Sequence, residues 1–193
     1  MTKWLSHRMV ERGIIKEEEQ ELYQFGIRNG MILLLNVVTA LVIGLLTEQL
    51  AVVAVFTLSF MVLRSYTGGY HSDSRIFCYL GSNLVLLVPV YTQAVFYKTS
   101  LAWLLAVLLV SAGIIFLLSP MHSKNRKLDK EEQKHFGRKA RLIAALELAV
   151  LGILWHAGQI PNAYAVYTGI CITALFMLVG KAQLWIQSHT ENG

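Results

Sequence analysis

The chain has 193 residues, of which 55% are hydrophobic and only 15% are charged. An ordinary soluble domain carries about 25% charged residues, so the composition argues against a soluble protein and favours one that has lipid as its solvent. The formal net charge is +5, but the basic residues cluster beside apolar runs, as in membrane proteins that use charge to set their orientation, and nucleic-acid binding is not expected.

The first 28 residues mix apolar side chains at helical spacing with charges of both signs. This pattern predicts an amphipathic helical segment that lies on the membrane surface. The segment has no apolar run of the length that a signal peptide requires, so we expect it to remain in the cytoplasm.

Apolar runs account for most of the remaining chain. A helix needs about 20 apolar residues to cross a bilayer, and several runs approach or reach that length. The sequence therefore predicts an all-α, polytopic membrane protein with about six transmembrane helices, forming a single integral membrane domain over residues 1–193. The predicted spans lie near residues 29–47, 48–64, 79–97, 101–119, 142–158 and 163–180.

The distribution of basic residues predicts the topology. If the chain crosses six times from a cytoplasmic N-terminus, sixteen of its 17 Lys and Arg residues face the cytoplasm and only Lys98 lies outside. The second run is short enough to be re-entrant, but a re-entrant segment would move the most basic loop to the outside, against the positive-inside rule. We therefore expect both termini and the segments 64–78 and 124–141 to be cytoplasmic.

The segment 119–141 is dense in charge and begins with a helix-stopping Pro120. One interpretation is that its basic residues set the orientation of the chain in the membrane and also contact anionic lipid headgroups. The other is that its basic residues bind an acidic part of a substrate. The substrate-binding candidates are Lys124, Arg126, Lys127 and Lys134.

The segment 64–78, RSYTGGYHSDSRIFC, contains the residues that are candidates for catalysis. A thiol is a weak nucleophile at neutral pH, and a neighbouring imidazole is the usual means of increasing its reactive thiolate. His71 and Cys78 supply this combination, so they are the candidate base and nucleophile.

The spacing of this pair constrains the backbone. On one continuous helix, residues seven apart would be separated by about 10.5 Å along the axis, which is too far for a hydrogen bond. We therefore predict a break, permitted by Gly68, Gly69, Ser72 and Asp73, with Cys78 in the first turns of the third span. Ser72, Asp73 or Ser74 is expected to cap that helix.

Each of these residues also has a simpler interpretation. Cys78 could be a small buried side chain, His71 a solvated loop residue and Arg64 a marker of the membrane boundary. A zinc site of His71, Asp73 and Cys78 lacks the spacing of known zinc motifs, so neither a metal nor a cofactor is predicted. The second cysteine, Cys171, lies in an apolar run and is expected to serve packing alone.

The pattern of Arg64, the two glycines, His71 and Cys78 between two membrane spans resembles the accessory gene regulator protein B (AgrB) family. A second region is similar to the basic loop of that family: Ser119, Pro120, Asn125, Lys127, Leu128, Glu131 and Glu132. Chain length and span layout agree with the resemblance, which therefore covers nearly the whole sequence.

The resemblance implies a cysteine endopeptidase of the bacterial cell membrane that acts in quorum sensing on an AgrD-type propeptide. Cys78 would cleave off the C-terminal tail through a thioester that leads to a cyclic thiolactone, with His71 as its base. Arg64 and Gly69 fall on positions important to the family's activity, and a homodimer is implied as well. Arg64 and the backbone N–H groups near residues 72–75 are candidate oxyanion stabilisers.

A different class of function stays open from the residues alone. Ionisable groups at the mouth of a membrane protein often mark routes for solutes. The alternative is therefore a membrane transporter or peptide-export component without proteolytic chemistry, and a third interpretation is a membrane scaffold or sensor with no chemistry.

Overall fold

The structure is a computed structural model that describes residues 2–68, 75–121 and 129–190. Within these ranges it contains eight α-helices and no β-strand, which confirms the predicted all-α fold. The helices are α1 (Thr2–Glu11), α2 (Gln20–Leu46), α3 (Leu50–Thr67), α4 (Arg75–Tyr91), α5 (Gln93–Lys98), α6 (Leu101–Leu118), α7 (Lys130–His156) and α8 (Ile160–Thr190).

Four of the described helical segments are long and apolar enough to cross a membrane: Glu17–Leu46, Leu50–Thr67, Leu101–Leu118 and Ile160–Ile186. Large apolar side chains on these helices are exposed, as shown by the 71% exposure of Leu109 and the 82% exposure of Leu117 on α6. Exposed apolar area of this extent is unfavourable in water and is what a lipid-facing surface requires. The full set of about six crossings stays a prediction.

The chain forms two compact units, residues 1–39 and residues 40–193. In the first unit, α1 is followed by a turn at Gly13, whose φ is +66°, and by a single 3₁₀ turn over Glu17–Glu19. The Gln20 side-chain amide donates to the hydroxyl oxygen of the buried Ser6 at 3.5 Å, which ties the start of α2 to α1. The predicted amphipathic segment is thus helical in separate pieces.

In the second unit, α8 packs against α3, α4, α5, α6 and α7. Small residues on α8 let neighbouring backbones approach closely, as in other membrane helix bundles. Two groups of buried side chains form the core. The first comprises Ala40, Val52, Val53, Phe56, Leu86, Val90 and Ala165, and the second Leu63, Ile115, Ala144, Val166, Ile170, Ala174 and Met177.

Two helices differ from the predicted spans. The predicted span 79–97 is two helices, α4 and α5, separated at Thr92. Pro89 within α4 has no N–H to donate to the preceding turn, and the Thr92 hydroxyl donates to the Val88 carbonyl at 2.6 Å, which competes with helical hydrogen bonding. The regular helix therefore ends before the apolar run does.

The other difference concerns the basic loop predicted ahead of residue 142. Helix α7 begins at Lys130, so the charged residues 130–141 are helical. Asp129 is the cause: its carboxylate accepts from the Glu132 backbone N–H at 2.7 Å, and Glu131 and Glu132 place negative charge at the positive end of the helix dipole.

Candidate functional site

Helix α3 ends beside Arg64, and this arginine holds the end of the helix. Its Nη1 donates to the carbonyl oxygen of Gly68 at 2.8 Å, while the guanidinium carbon lies 4.9 Å from the centre of the Phe176 ring on α8. The Gly68 N–H in turn donates to the Arg64 carbonyl at 3.3 Å. Arg64 thus contacts both its own helix end and the neighbouring helix.

Gly68 is the first residue after α3 and adopts a conformation that other residues avoid. Its φ is +71°, and a Cβ at this position would lie 2.6 Å from the carbonyl oxygen of Met121. The Met121 N–H donates to the Thr67 carbonyl at 2.9 Å, so the two chain segments are joined by backbone. Glycine is required at this position because of both the torsion angle and the space.

The predicted break in the helix is present at Gly68, since α3 ends at Thr67 and a separate helix begins at Arg75. Cys78 is the fourth residue of α4 and therefore lies in its first turn, where the sequence predicted it. Gly69, His71, Ser72 and Asp73 lie outside the described residues, as does the predicted pairing of His71 with Cys78.

The basic segment 119–141 begins and ends near the end of α3 that contains Arg64. Lys124, Arg126 and Lys127 lie outside the described residues, whereas Lys134 is exposed on α7. The α7 helix is held against α3 through the Tyr66 and Phe136 rings, whose centres are 6.2 Å apart, and Lys139 Nζ lies 5.7 Å from the Tyr66 ring centre.

This end also includes the close approach of α6 to α7. A Cβ on Gly137 would lie 3.0 Å from Pro120 Cδ, and Arg141 Nε donates to the Phe116 carbonyl at 3.1 Å. We call this region, formed by residues 64–68, 116–121, 134–141 and 176–177, the Arg64 end. It brings together the exit of α3, the start of the basic segment and the first turns of α7.

The opposite end of the second unit is aromatic. The Phe96 ring centre lies 4.4 Å from that of Tyr164, 5.5 Å from that of Tyr167 and 6.1 Å from that of Trp155, and we call this cluster the Phe96 end. It borders a cavity of about 260 Å³ whose lining includes four leucines of α6 together with residues of α7 and α8. Cys171 lies on α8, partly buried.

A buried polar pair lies between these ends. The Ser59 hydroxyl of α3 donates to Glu147 Oε2 of α7 at 2.9 Å, and both side chains are buried. A Cβ on Gly169 of α8 would lie 2.5 Å from this hydroxyl oxygen, so the pair depends on a glycine there. An ionisable residue inside an apolar run is unfavourable unless it is paired, which is the signal by which Glu147 could have been noticed in the sequence.

Sequence reasoning also missed Phe176 and Met121. Both are apolar residues in unremarkable surroundings, and only the folded chain brings them to the end of α3. No local pattern marks either residue, because each acts through a neighbour that is distant in the sequence.

The described fold and site define an all-α protein with apolar helices long enough to cross a membrane. Cys78 lies in the first turn of α4, and Gly68, which precedes it in the chain, is held close to the Met121 backbone. A family model described as Accessory gene regulator B matches residues 1–180. The chain therefore belongs to the AgrB family, whose members are membrane-associated.

Two curated relatives agree with this assignment. A putative AgrB-like protein of Clostridium perfringens (strain SM101 / Type A) is 23% identical over 148 residues, which are 74% of this chain and 69% of the relative. Putative AgrB-like protein 2 of Clostridium perfringens (strain 13 / Type A) is 24% identical over 131 residues, 65% of this chain and 61% of the relative. No solved structure matches the chain significantly.

Proposed function

We propose that the protein is a cysteine endopeptidase of the bacterial cell membrane that removes the C-terminal tail of an AgrD-type quorum-sensing propeptide. The observation that carries the proposal is the position of Cys78. It lies in the first turn of α4, shortly after the chain breaks from helical geometry at Gly68, in a segment whose sequence also supplies His71. Family membership supports a peptidase role of this kind.

The proposed reaction begins with proton transfer from the Cys78 thiol to the His71 imidazole. The thiolate attacks the carbonyl carbon of the peptide bond that joins the future signal to its tail. When the tetrahedral intermediate collapses, the C–N bond breaks, the imidazolium gives its proton to the departing amine, and the signal remains bound to Cys78 as a thioester.

The second step is an exchange between thioesters. A cysteine thiol within the bound peptide gives its proton to the neutral His71 imidazole and attacks the Cys78 thioester carbonyl. A new C–S bond closes the thiolactone ring, the bond from the carbonyl carbon to Cys78 Sγ breaks, and Cys78 leaves as a thiolate. One thioester replaces another, so the exchange needs no ATP, provided that water is kept from the intermediate.

The proposed topology has six crossings with both termini and the 64–78 segment in the cytoplasm. The basic residues support it, since sixteen of 17 would face the cytoplasm. Lys134, exposed on α7, and the neighbouring Lys124, Arg126 and Lys127 are proposed to bind acidic residues of the propeptide.

The test uses purified protein in lipid vesicles and a synthetic propeptide, taken from a short neighbouring reading frame with an internal cysteine and an acidic tail. Mass spectrometry should detect the released tail and an acyl adduct on Cys78. Cys78→Ala should abolish both products, whereas the matched control Cys171→Ala should retain them. Cleavage by Cys78→Ala would refute the mechanism, and propeptide movement across the vesicle membrane without cleavage would favour the transporter alternative.

The proposed topology has its own test. In a Cys171→Ala background, a membrane-impermeant maleimide should label Cys78 only when it has access to the cytoplasmic side of the membrane. Labelling of Cys78 by reagent added outside intact cells would contradict the proposed orientation.

A further inference from the structure

Two apolar cavities adjoin each other at the Phe96 end. The first is the cavity of about 260 Å³ already described, and the second has a volume of about 320 Å³. Helices α5, α6 and α8 contribute to both linings, and α7 contributes to the first. Phe96, Leu104 and Tyr167 line both cavities, so these three side chains form the boundary at which the two spaces meet.

The first cavity is elongated along the helices. Its lining on α6 extends from Leu101 to Leu108, a distance of about 10.5 Å at a rise of about 1.5 Å per residue. Leu101 and Leu105 in this lining are about half exposed, and Trp103 in the second lining is largely exposed. Because these exposed side chains are apolar, both cavities open toward lipid, and an acyl chain in a bilayer runs in the same direction as the helices.

A positive charge lies where both cavities begin. Lys98 is exposed and is the last residue of α5. The next residue, Thr99, lines the second cavity, and Leu101 lines the first. Of the 17 Lys and Arg residues, Lys98 is the one that the proposed topology places outside. Trp155 and His156 line the first cavity at this same end, and aromatic side chains with a polar group are typical of the membrane–water interface.

We propose that the Phe96 end binds one anionic diacyl phospholipid, with an acyl chain in each cavity and the headgroup phosphate at Lys98. Two adjoining apolar cavities match the two chains of a single lipid, and the lysine attracts a negatively charged headgroup. In the proposed topology this lipid belongs to the outer leaflet. The inference is independent of the cleavage reaction and concerns a site at the opposite end from Arg64.

Gly152 on α7 offers a way to fill one cavity. It lines the first cavity, and a Cβ at this position would meet nothing within 4 Å. The side chain in Gly152→Leu should therefore occupy the space proposed for an acyl chain. The matched control is Gly113→Leu on α6, because a Cβ on Gly113 also has open space and Gly113 belongs to neither lining.

A second pair of variants tests the charge. Lys98→Gln removes the proposed contact with the headgroup. Lys181→Gln is its control, since Lys181 is also exposed but lies on α8 beyond Phe176, away from the Phe96 end. The two variants have the same net charge, so a difference between them reports the location of the lysine.

The experiment is native mass spectrometry of the purified, delipidated protein in detergent, which gives the Kd of the first bound lipid. Dioleoylphosphatidylglycerol should bind more tightly than dioleoylphosphatidylcholine, and inorganic phosphate should not compete with it. Gly152→Leu should weaken binding of phosphatidylglycerol roughly tenfold, the factor that corresponds to about two buried methylene groups. Lys98→Gln should weaken it roughly fivefold and remove the preference over phosphatidylcholine. Both control variants should bind as the wild type does.

Three results would overturn the inference: equal weakening in the two leucine variants, equal weakening in the two glutamine variants, or equal affinity of the wild type for the two lipids. The first would show that any added side chain disturbs binding, and the other two that the lysine selects no headgroup. Loss of propeptide cleavage would bear on the proposed function alone.

The position of the lipid has a test that needs no substitution. Phosphatidylglycerol with a photoreactive group in its acyl chain should form crosslinks to residues 101–108 and 151–156 of the wild-type protein in vesicles. This measurement decides the matter if thermal unfolding in detergent shows that Gly152→Leu does not fold. Crosslinks confined to other segments would refute the site.

Discussion

The Arg64 end and the Phe96 end of the second unit are held together by different kinds of interaction. At the Arg64 end, the backbone groups of residues 67 and 121 form a hydrogen bond, and the Arg64 guanidinium donates to the Gly68 carbonyl. A Cβ on Gly68, whose φ is positive, would lie 2.6 Å from the Met121 carbonyl oxygen. At the Phe96 end, aromatic rings pack against one another beside a cavity of about 260 Å³.

The two ends therefore differ in how precisely they can hold reacting groups in place. Backbone hydrogen bonds and close backbone contacts allow one arrangement, because any shift breaks a bond or creates a clash. Ring contacts change gradually with distance, so an aromatic cluster beside a cavity accommodates substitution. The proposed reaction needs groups held to within a fraction of an ångström, and the Arg64 end includes the residues that directly precede the segment with the candidate base and nucleophile.

The most severe test of the comparison is Gly68→Ala. Its Cβ would lie 2.6 Å from the Met121 carbonyl oxygen, and the φ of +71° is unfavourable for alanine, so the backbone at residue 68 or at Met121 must shift. A shift of about 1 Å near a reacting group costs on the order of 100-fold in rate, and we expect a loss of cleavage of that size.

The matched control is Gly81→Ala on α4, where a Cβ meets nothing within 4 Å. That variant should cleave at the wild-type rate in the same mass-spectrometric assay. Wild-type cleavage by Gly68→Ala would mean that the contact with Met121 does not constrain the site.

A substitution in the middle of the second unit should have a smaller effect. It should lower the free energy of unfolding and leave the cleavage reaction unchanged. In Gly169→Ala the new Cβ would lie 2.5 Å from the Ser59 hydroxyl, which must then leave Glu147 or separate α3 from α8. Overpacking of this kind costs about 1–3 kcal/mol. Thermal unfolding in detergent measures it, and Gly113→Ala, whose Cβ has open space, should unfold no earlier than wild type.

A double-mutant cycle sharpens this test. Ser59→Ala alone should cost only about 0.6 kcal/mol, the average for a hydrogen bond between membrane helices. Combined with Gly169→Ala it should recover part of the lost stability, because the clashing hydroxyl is gone. Strict additivity of the two changes would contradict the proposed clash.

The smallest effect is expected at the Phe96 end. Phe96→Leu removes ring contacts with Tyr164, Tyr167 and Trp155 and should lower the free energy of unfolding by roughly 1 kcal/mol while cleavage proceeds at the wild-type rate. Tyr91→Leu, an aromatic change at a position that is 70% exposed, should leave both quantities unchanged. A cleavage defect in Phe96→Leu would show that the two ends are coupled.

Local signals in the sequence were enough to predict part of this arrangement. Apolar runs predicted the helical fold, and two adjacent glycines predicted the break that the structure has at Gly68. Cys78 follows the break closely in the sequence and is the fourth residue of α4, so it lies in the first turn of that helix. Each of these features depends on residues that are close together in the chain.

Other features depend on partners that are distant in the sequence. The contact of Phe176 with Arg64 and the passage of Gly68 beside Met121 exist only once α8 and the 119–121 segment are packed against α3. The start of α7 was missed for another reason. Charge density in residues 130–141 was interpreted as a loop, although the cap provided by Asp129 favours a helix.

The early start of α7 also determines how its charges are arranged. Residues 130–141 extend the helix by about 18 Å, at a rise of about 1.5 Å per residue, in one piece with the apolar residues that follow. Lys134 and Arg138 are exposed one helical turn apart, with Lys139 beside them. Their separations are therefore fixed by the helix, and an acidic partner would be selected by the spacing of its carboxylates as well as by its charge.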